Sequence, residues 1–280
     1  MPLFRPLLHT LLHCALAACL QAQSVLFVGN SFTFIPRSVG VGEATELNKD
    51  PAGGVPALFQ SLASTGGQNP SVTMETVGGK NLQFHYENQR QLIDQPWDIV
   101  VLQDLSTGPL PAADGSTASL DSFRAHVPKL KALFVAKNPA VKLWLYETWA
   151  RPDLIMKGRF ATIEEMQAGL RAAYSTAAKD NDLQGWVPVG QAFLAAVKRG
   201  LADNPATPVV EGPLHIWDTD NFHQSPLGAY LSALLFYGRI YDADPRALPA
   251  DNAAAVHLKL STVDATKLHA LAWEQLQPAK

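Results

Sequence analysis

Short apolar runs recur along the chain, and each is bounded by glycine or by polar residues. Five of them are predicted as strands: residues 25–28, 72–77, 98–102, 141–146 and 186–189. Almost continuous apolar character is typical of strands that are buried on both faces of a parallel sheet. Helix-like segments alternate with these runs, so the pattern predicts an α/β fold. We expect a single three-layer α/β/α domain with a flavodoxin-like parallel sheet of about five strands.

Three segments between or after these strands carry the signals of helices. Apolar residues at helical spacing predict a helix over residues 163–177, and Thr162 and Glu165 form a capping-box pattern at its start. Ser225 and Pro226 are an N-cap and first-turn pair for a helix that runs to about residue 237. A third, amphipathic helix is expected near residues 265–276.

Residues 34–54 are rich in glycine, proline and asparagine, and they show weak periodicity. We interpret them as a long loop. Loops of this length in compact domains are often functional. The segment is therefore either an insertion at the surface or a lid over a binding site.

The first 23 residues have the pattern of an export signal. Arg5 supplies a positive charge, and residues 7–20 are mostly apolar over a length too short for a comfortable membrane span. The run ends in Leu-Ala-Ala-Cys, which resembles a bacterial lipobox in which Cys19 is lipidated and becomes the first mature residue. The alternative is ordinary cleavage after Ala22. We expect an exported protein that is secreted, periplasmic or anchored to a membrane through lipid on Cys19.

The composition narrows the class of protein. Of 280 residues, 47% are hydrophobic, which excludes a disordered or fibrous chain. The formal net charge is −3, so there is no basic excess to neutralise the phosphates of a nucleic acid. Both cysteines, Cys14 and Cys19, lie in the expected signal, so neither a disulfide framework nor a catalytic thiol is expected.

We divide the chain into a signal over residues 1–23, an α/β domain over residues 24–245 and a helical extension over residues 246–280 that packs on it.

Two clusters of polar residues are candidates for chemistry. Ser31 directly follows the first predicted strand, in VLFVGNSFT, where open parallel sheets bind their ligands. Asp220 and His223 lie in DTDNFHQSP, and this spacing lets the carboxylate reach Nδ1 of the imidazole and leaves Nε2 free as a base. The alternatives are a turn serine and a local hydrogen bond in an exposed loop. Asp218 is a rival for the acidic role, and with Asp220 and His223 it is an alternative metal site, although further ligands at recognisable spacing are missing.

Three more residues follow predicted strands. Gly79, in TVGGKNL, would offer a backbone N–H to an oxyanion, and Gln103, in VVLQD, a side-chain amide. An acyl-transfer transition state needs such donors, each worth about 3 kcal/mol. Both residues also have ordinary explanations, as a turn glycine and as a polar residue at a strand end. Trp149, in ETWARPD, is either a wall for an apolar or sugar group or a core residue.

Taken together, these motifs resemble the SGNH, or GDSL-like, hydrolase superfamily over roughly residues 24–240. VLFVGNS is similar to the first block of that family, VGGKNL to its glycine block, and DNFHQSPLGAYLSALLFY to its last block. The resemblance implies Ser31 as nucleophile, with His223 and Asp220 completing a triad. It also implies the SGNH hydrolase fold, with no metal or organic cofactor.

The third block departs from the family pattern. WDIVVLQDLS lacks the usual Gly-x-Asn-Asp, so Gln103 would replace the asparagine donor beside the N–H groups of Ser31 and Gly79. Asn30 lies in the first block where aspartate is commoner. With Trp149, it is a candidate substrate-binding residue.

The resemblance implies a serine esterase that cleaves short acyl groups, such as acetyl, from a carbohydrate. A small-molecule or carbohydrate ester is then the expected partner, without nucleic acid, and contact with a membrane would come only through lipid on Cys19. The altered third block motivates another class, a non-catalytic carbohydrate-binding or scaffold protein with a degenerate site. An O-acyltransferase with the same triad is a further alternative, because only the access of water to the acyl-enzyme separates the two reactions.

Overall fold

The computed structural model describes residues 22–37, 44–207 and 214–277. The strands are β1 (Ser24–Gly29), β2 (Thr45–Glu46), β3 (Ser71–Thr76), β4 (Ile99–Leu102), β5 (Lys142–Tyr146) and β6 (Gly185–Val187). They form one sheet in the order β2-β3-β1-β4-β5-β6, and every pairing is parallel.

Helices connect the strands and cover both faces of the sheet. They are α1 (Ser31–Phe34), α2 (Gly54–Thr65), α3 (Leu82–Asn88), α4 (Arg90–Ile93), α5 (Ala118–Lys137), α6 (Pro152–Met156), α7 (Ile163–Asp180), α8 (Val189–Lys198), α9 (Pro226–Tyr241), α10 (Ala253–His257) and α11 (Thr262–Leu276). A short 3-10 helix, Pro245–Ala247, lies between α9 and α10.

The predicted α/β class is confirmed, and each of the five predicted strands is present within about two residues of its expected bounds. The sixth strand, β2, was not predicted. It has only two residues, Thr45 and Glu46, and it pairs only with β3 at the edge of the sheet. It lies in the segment interpreted as a long loop, where residues 38–43 are outside the described part of the chain.

Two apolar layers lie on opposite faces of the sheet. Val25 and Phe27 of β1 face the layer formed with α2, α8, α9 and α11, whereas Leu26 and Val28 face the layer formed with α3, α5 and α7. Because both faces of β1 and β4 are covered, residues 25–28 and 99–102 are apolar at every position instead of alternating. This explains why the strands were visible in the sequence.

The three predicted helices are also present; α7 and α9 end later than predicted, and α11 begins at Thr262, earlier than predicted. Thr162 caps α7 by accepting a hydrogen bond from the backbone N–H of Glu165 at 3.1 Å. Ser225 caps α9 through the N–H groups of residues 227 and 228. Helix α11 packs against α9, where Gly238 lies so close to Leu276 that a Cβ atom would meet its Cδ1 at 2.3 Å.

The predicted export signal falls on residues 1–23, of which residues 1–21 lie outside the described part of the chain. Among the described residues, every helix is too short or too polar to cross a membrane.

Candidate active site

Ser31 is the first residue of α1, directly after β1 and the cap residue Asn30. The Asn30 side chain accepts a hydrogen bond from the N–H of Phe32 at 3.0 Å. Its amide group donates to the carbonyl oxygens of Lys80 at 2.8 Å and Asp104 at 3.3 Å. These bonds fix the turn that carries Ser31 between the ends of β3 and β4. The strand order reverses there, and open sheets bind ligands at that point.

The structure brings Ser31 and His223 together from positions 192 residues apart in the chain. His223 Nε2 lies 2.9 Å from Ser31 Oγ, and His223 Nδ1 lies 2.6 Å from Asp220 Oδ2. The His223 side chain is 17% exposed, and that of Asp220 is 47% exposed. The three groups form a continuous hydrogen-bonded chain from the carboxylate to the hydroxyl, and solvent reaches its acidic end.

The ionisation of Asp220 decides how the proton is placed on the imidazole. Partial burial raises the pKa of the Asp220 carboxyl. The hydrogen bond from the His223 side chain and those from the N–H groups of His223 and Phe222 lower it further than burial raises it, so the pKa lies below its usual value. An ionised carboxylate only accepts hydrogen bonds, so Nδ1 of His223 carries the hydrogen. Nε2 of the neutral ring is then free to accept the Ser31 hydroxyl proton.

Gln224, the residue after His223, connects the histidine loop to the serine turn. Its Nε2 donates to the carbonyl oxygens of Phe32 and Ile35, at 3.0 Å each. Its Oε1 accepts from the Ser232 hydroxyl on α9 at 3.0 Å. The Gln224 side chain is fully buried. The distance between base and nucleophile is therefore set by direct contact of the two loops as well as by the sheet.

Gly79 lies in the exposed turn after β3 with a φ of +71°, in the left-handed region that glycine adopts without strain. The Asn30 amide binds the carbonyl of the next residue, Lys80, which places this turn beside the one that carries Ser31. The N–H groups of Ser31 and Gly79 have no acceptor among the described residues. Both remain available to a ligand.

The expectation that Gln103 is an oxyanion donor does not hold in this structure. Its side chain is fully buried beneath the serine turn. Its Oε1 accepts from the backbone N–H of Asn30 at 3.0 Å and from the Thr33 hydroxyl at 2.9 Å, while its Nε2 donates to the carbonyl of Asp104. Gln103 therefore supports the nucleophile turn, and both ends of its amide are bonded within the protein.

The two candidate substrate-binding residues also have structural positions. Asn30 is 1% exposed, and both ends of its side chain are occupied by the hydrogen bonds described above. Trp149 is fully buried and stacks between Phe32, at 4.1 Å between ring centroids, and Phe193, at 5.0 Å. Its Nε1 donates to the carbonyl of Phe222 at 3.1 Å. Of the two roles weighed for this tryptophan, the structure shows the core role.

Asp218, the rival for the acidic role, does not contact the imidazole. Its Oδ1 accepts from the N–H of Thr219 at 2.7 Å, and its own N–H donates to the carbonyl of His223 at 2.8 Å. Within the described ranges, no cluster of three or more His, Cys, Asp or Glu side chains has the geometry of a metal site.

Arg151 is a site residue that the sequence did not reveal. Its guanidinium lies 3.6 Å from the ring centroid of Phe222, which in turn packs on His223 at 4.1 Å. It donates to the Ser106 hydroxyl at 3.1 Å and forms two bonds of 2.9 Å with Asp153. It thus connects the loops after β4 and β5 with the histidine loop. No spacing rule marks a single arginine, so the sequence carried no signal for it.

Asp104 orders the other wall of the site. Its Oδ1 accepts from the N–H of Leu82 at 2.8 Å and so fixes the start of α3, just after the Gly79 turn. Complete burial raises the pKa of this carboxyl to about 6, against the opposing effects of the N–H groups of Leu82 and Leu105 and of the nearby His85.

No protein-family profile matches the chain, and no curated protein sequence matches it. Solved structures do match. A DUF4886 family protein from Bacteroides uniformis superposes with a TM-score of 0.62 and 16% identity, covering 91% of this chain and 94% of that one. A protein described as a GDSL-like lipase, from Parabacteroides merdae, gives 0.53 and 16%, covering 78% and 95%. A catalytic mutant of an acetylxylan esterase from Geobacillus stearothermophilus gives 0.53 and 16%, covering 78% and 94%.

At these identities the likeness concerns the fold. The chain has the α/β fold of the SGNH hydrolases, as the resemblance of its motifs implied. Two of these neighbours are described as ester hydrolases, a GDSL-like lipase and an acetylxylan esterase.

Proposed function

We propose that this protein is an exported serine esterase that removes short acyl groups, such as acetyl, from a carbohydrate. The observation that carries the proposal is the hydrogen-bonded chain from Asp220 through His223 to Ser31, with distances of 2.6 and 2.9 Å. A serine, an imidazole and a carboxylate in this order are the groups that nucleophilic acyl transfer requires.

In the first half of the reaction, His223 Nε2 takes the proton from the Ser31 hydroxyl while Oγ attacks the ester carbonyl. The N–H groups of Ser31 and Gly79 stabilise the oxyanion that forms. The protonated imidazole, stabilised by the Asp220 carboxylate, then gives its proton to the leaving alcohol oxygen. The carbon–oxygen bond of the ester breaks, and the acyl group stays on Ser31.

In the second half, water takes the place of the alcohol. His223 accepts a proton from the water, whose oxygen attacks the acyl carbonyl. The imidazole returns the proton to Ser31 Oγ as the acyl–serine bond breaks and the carboxylic acid leaves. Asp220 stays ionised throughout and holds the ring in one tautomer.

The preference for a carbohydrate ester is supported by two observations. Neighbours of the same fold are described as acetylxylan esterases. The site is also open, because residues 78–80 are exposed and nearly half of the Asp220 side chain reaches solvent. An open site accommodates a bulky alcohol, whereas a long acyl chain needs an extended apolar groove.

The test is the hydrolysis of p-nitrophenyl acetate and of an acetylated glycan by Ser31→Ala. We expect kcat/KM to fall at least about 1,000-fold with the fold retained, because the variant keeps only the oxyanion donors and binding. Ser175→Ala, which removes a partly exposed hydroxyl from α7, is the matched control and should retain full activity. Near wild-type rates in Ser31→Ala would refute the proposal.

The alternatives give different results. A scaffold protein would not react with a fluorophosphonate probe at Ser31, although it would still bind glycan. An acyltransferase would yield an acylated sugar in place of free acid when a sugar acceptor is added.

Export is a proposal from the sequence, and it has its own test. Mass spectrometry of the mature protein from a bacterial host would show a lipidated Cys19 or an N-terminus after Ala22. A protein that keeps residues 1–23 would contradict export by this signal.

A further inference from the structure

A groove of about 460 Å³ lies on the side of the molecule away from the serine. Its lining includes Trp144, Trp186, Arg171, Arg239, Gln184 and Gln275. Arg239 lies 14 residues beyond Ser225 on α9, which places it about 20 Å along the helix from the histidine loop. The volume lies within the range of roughly 300–1,000 Å³ that is usual for small-molecule sites. The groove is therefore separate from the site described above.

The two arginines give the groove a positive charge that the described residues leave largely unneutralised. Within the described ranges, neither Arg171 nor Arg239 forms an ion pair, and Arg239 Nε is buried without a hydrogen-bond partner. Burial lowers the pKa of Arg239, and the charge of Asp242 only partly opposes this effect. A partly buried guanidinium without a carboxylate partner is costly, so the groove favours an anion.

The acidic groups near the groove do not remove this charge. Glu147 is close enough to Arg171 to feel its charge, but burial raises the pKa of Glu147 to about 8, so the carboxyl is mostly protonated at neutral pH. Glu274, beside Gln275 on α11, is paired with Arg199.

The other lining groups suit a ligand with hydroxyl groups and an apolar face. Trp144 and Trp186 are partly exposed, and the Arg171 guanidinium lies 5.7 Å from the Trp186 ring centroid. Gly185 pairs with Trp144 across the sheet, and a Cβ there would approach the indole to 3.4 Å. The Gln184 Oε1 accepts from the N–H of Leu143 at 2.6 Å, which leaves its NH₂ group for a ligand. Amide groups bind hydroxyls, and indole rings pack on the C–H face of a sugar.

We propose that this groove binds an acidic saccharide, with the sugar carboxylate held by Arg171 and Arg239 and the ring packed against one of the two indoles, which lie on opposite faces of the sheet. Arginine binds carboxylates through two parallel hydrogen bonds, which fixes the orientation of the ligand. The proposal does not depend on esterase activity, because the groove shares no residue with the serine site.

The test is titration of the full chain with D-glucuronate, with binding measured by tryptophan fluorescence and by calorimetry. D-glucose serves as the uncharged match, and benzoate and inorganic phosphate as anions without a sugar ring. We expect saturable binding of glucuronate, weakened at least tenfold in Arg171→Gln and in Arg239→Gln. Arg124→Gln, which removes an exposed arginine from α5, should bind like the wild type.

Four results would overturn the proposal. These are the absence of saturable glucuronate binding, equal binding of glucose, binding of benzoate or phosphate as tight as that of glucuronate, and unchanged affinity in both arginine variants. Should Arg239→Gln fail to fold, Arg171→Gln alone decides the question. Hydrolysis of p-nitrophenyl acetate, measured on the same samples, should be unchanged by all three substitutions, so loss of sugar binding is distinguishable from loss of catalysis.

Discussion

Glu147 is fully buried at the end of β5, and its burial makes a specific prediction about stability. Its Oε1 accepts from Gln167 Nε2 and from the N–H of Gln191, at 2.9 Å each, while its Oε2 has no partner among the described residues. Burial raises the pKa of this carboxyl from 4.5 to about 8, against the opposing effects of Arg171 and of these hydrogen bonds. Folding therefore favours the protonated form.

Because folding raises the pKa of Glu147, the protein should lose stability as the pH rises. The contribution of Glu147 to stability is fully present below the unfolded-state pKa and is lost as the pH rises through the folded-state pKa. With a folded-state pKa of about 8, the loss between pH 6.5 and pH 9 amounts to about 2 kcal/mol. This pH range lies above the pKa of Asp104, which is about 6, so the two carboxyls titrate in separate pH ranges.

The assay is urea unfolding at a series of pH values for the wild type and for Glu147→Gln. The glutamine keeps the Oε1 acceptor and cannot ionise, so the variant should lack this loss and should be the more stable protein at pH 9. Glu164→Gln, at an exposed position on α7, is the matched control and should follow the wild type. If Glu147→Gln and the wild type lose stability in parallel from pH 6.5 to 9, the argument from burial is wrong.

Three further substitutions test the site. Trp149→Ala should lower the free energy of unfolding by about 3–5 kcal/mol in urea, because it empties a fully buried stack; a loss below about 1 kcal/mol would contradict the core position. Gln103→Leu should cost about 2–4 kcal/mol by the same assay, since the N–H of Asn30 and the hydroxyl of Thr33 lose their acceptor, and a variant as stable as the wild type would argue against that role. Asp220→Asn should lower kcat on p-nitrophenyl acetate by about 10²–10⁴-fold with the fold unchanged, and unaltered kcat would remove Asp220 from the triad.

Much of the fold was predictable because its strongest determinant is local. The central strands are buried on both faces, so runs such as residues 98–102 stand out by composition alone. The caps at Thr162 and Ser225 were readable because a capping side chain bonds to the backbone within three residues. Strand β2 could not be found in this way, since it has only two polar residues, and these pair with a strand about 30 positions further along the chain.

The residues of the site were likewise predictable only where a local sequence pattern contains them. Ser31, Asp220 and His223 were found because short motifs at the ends of elements carry them. The roles of Gln103 and Trp149 were not predictable, because a side chain after a strand can turn toward the ligand or beneath the turn, and only three-dimensional contacts decide. Arg151 acts through residues more than 40 positions away in either direction, so no local pattern contains it.

The two sides of the cleft differ: one side is held by the buried amide of Gln224, and the other is exposed to solvent. The buried Gln224 side chain donates to the carbonyl oxygens of Phe32 and Ile35, so the serine turn and the histidine loop are held together. The opposite rim, residues 78–80, is exposed, contains two glycines and is held to the serine turn only at the carbonyl of Lys80 among the described contacts. Adjustment to alcohols of different bulk therefore falls to the two glycines, and amide hydrogen exchange should be slower in residues 32–35, whose N–H groups are all bonded, than in residues 78–79.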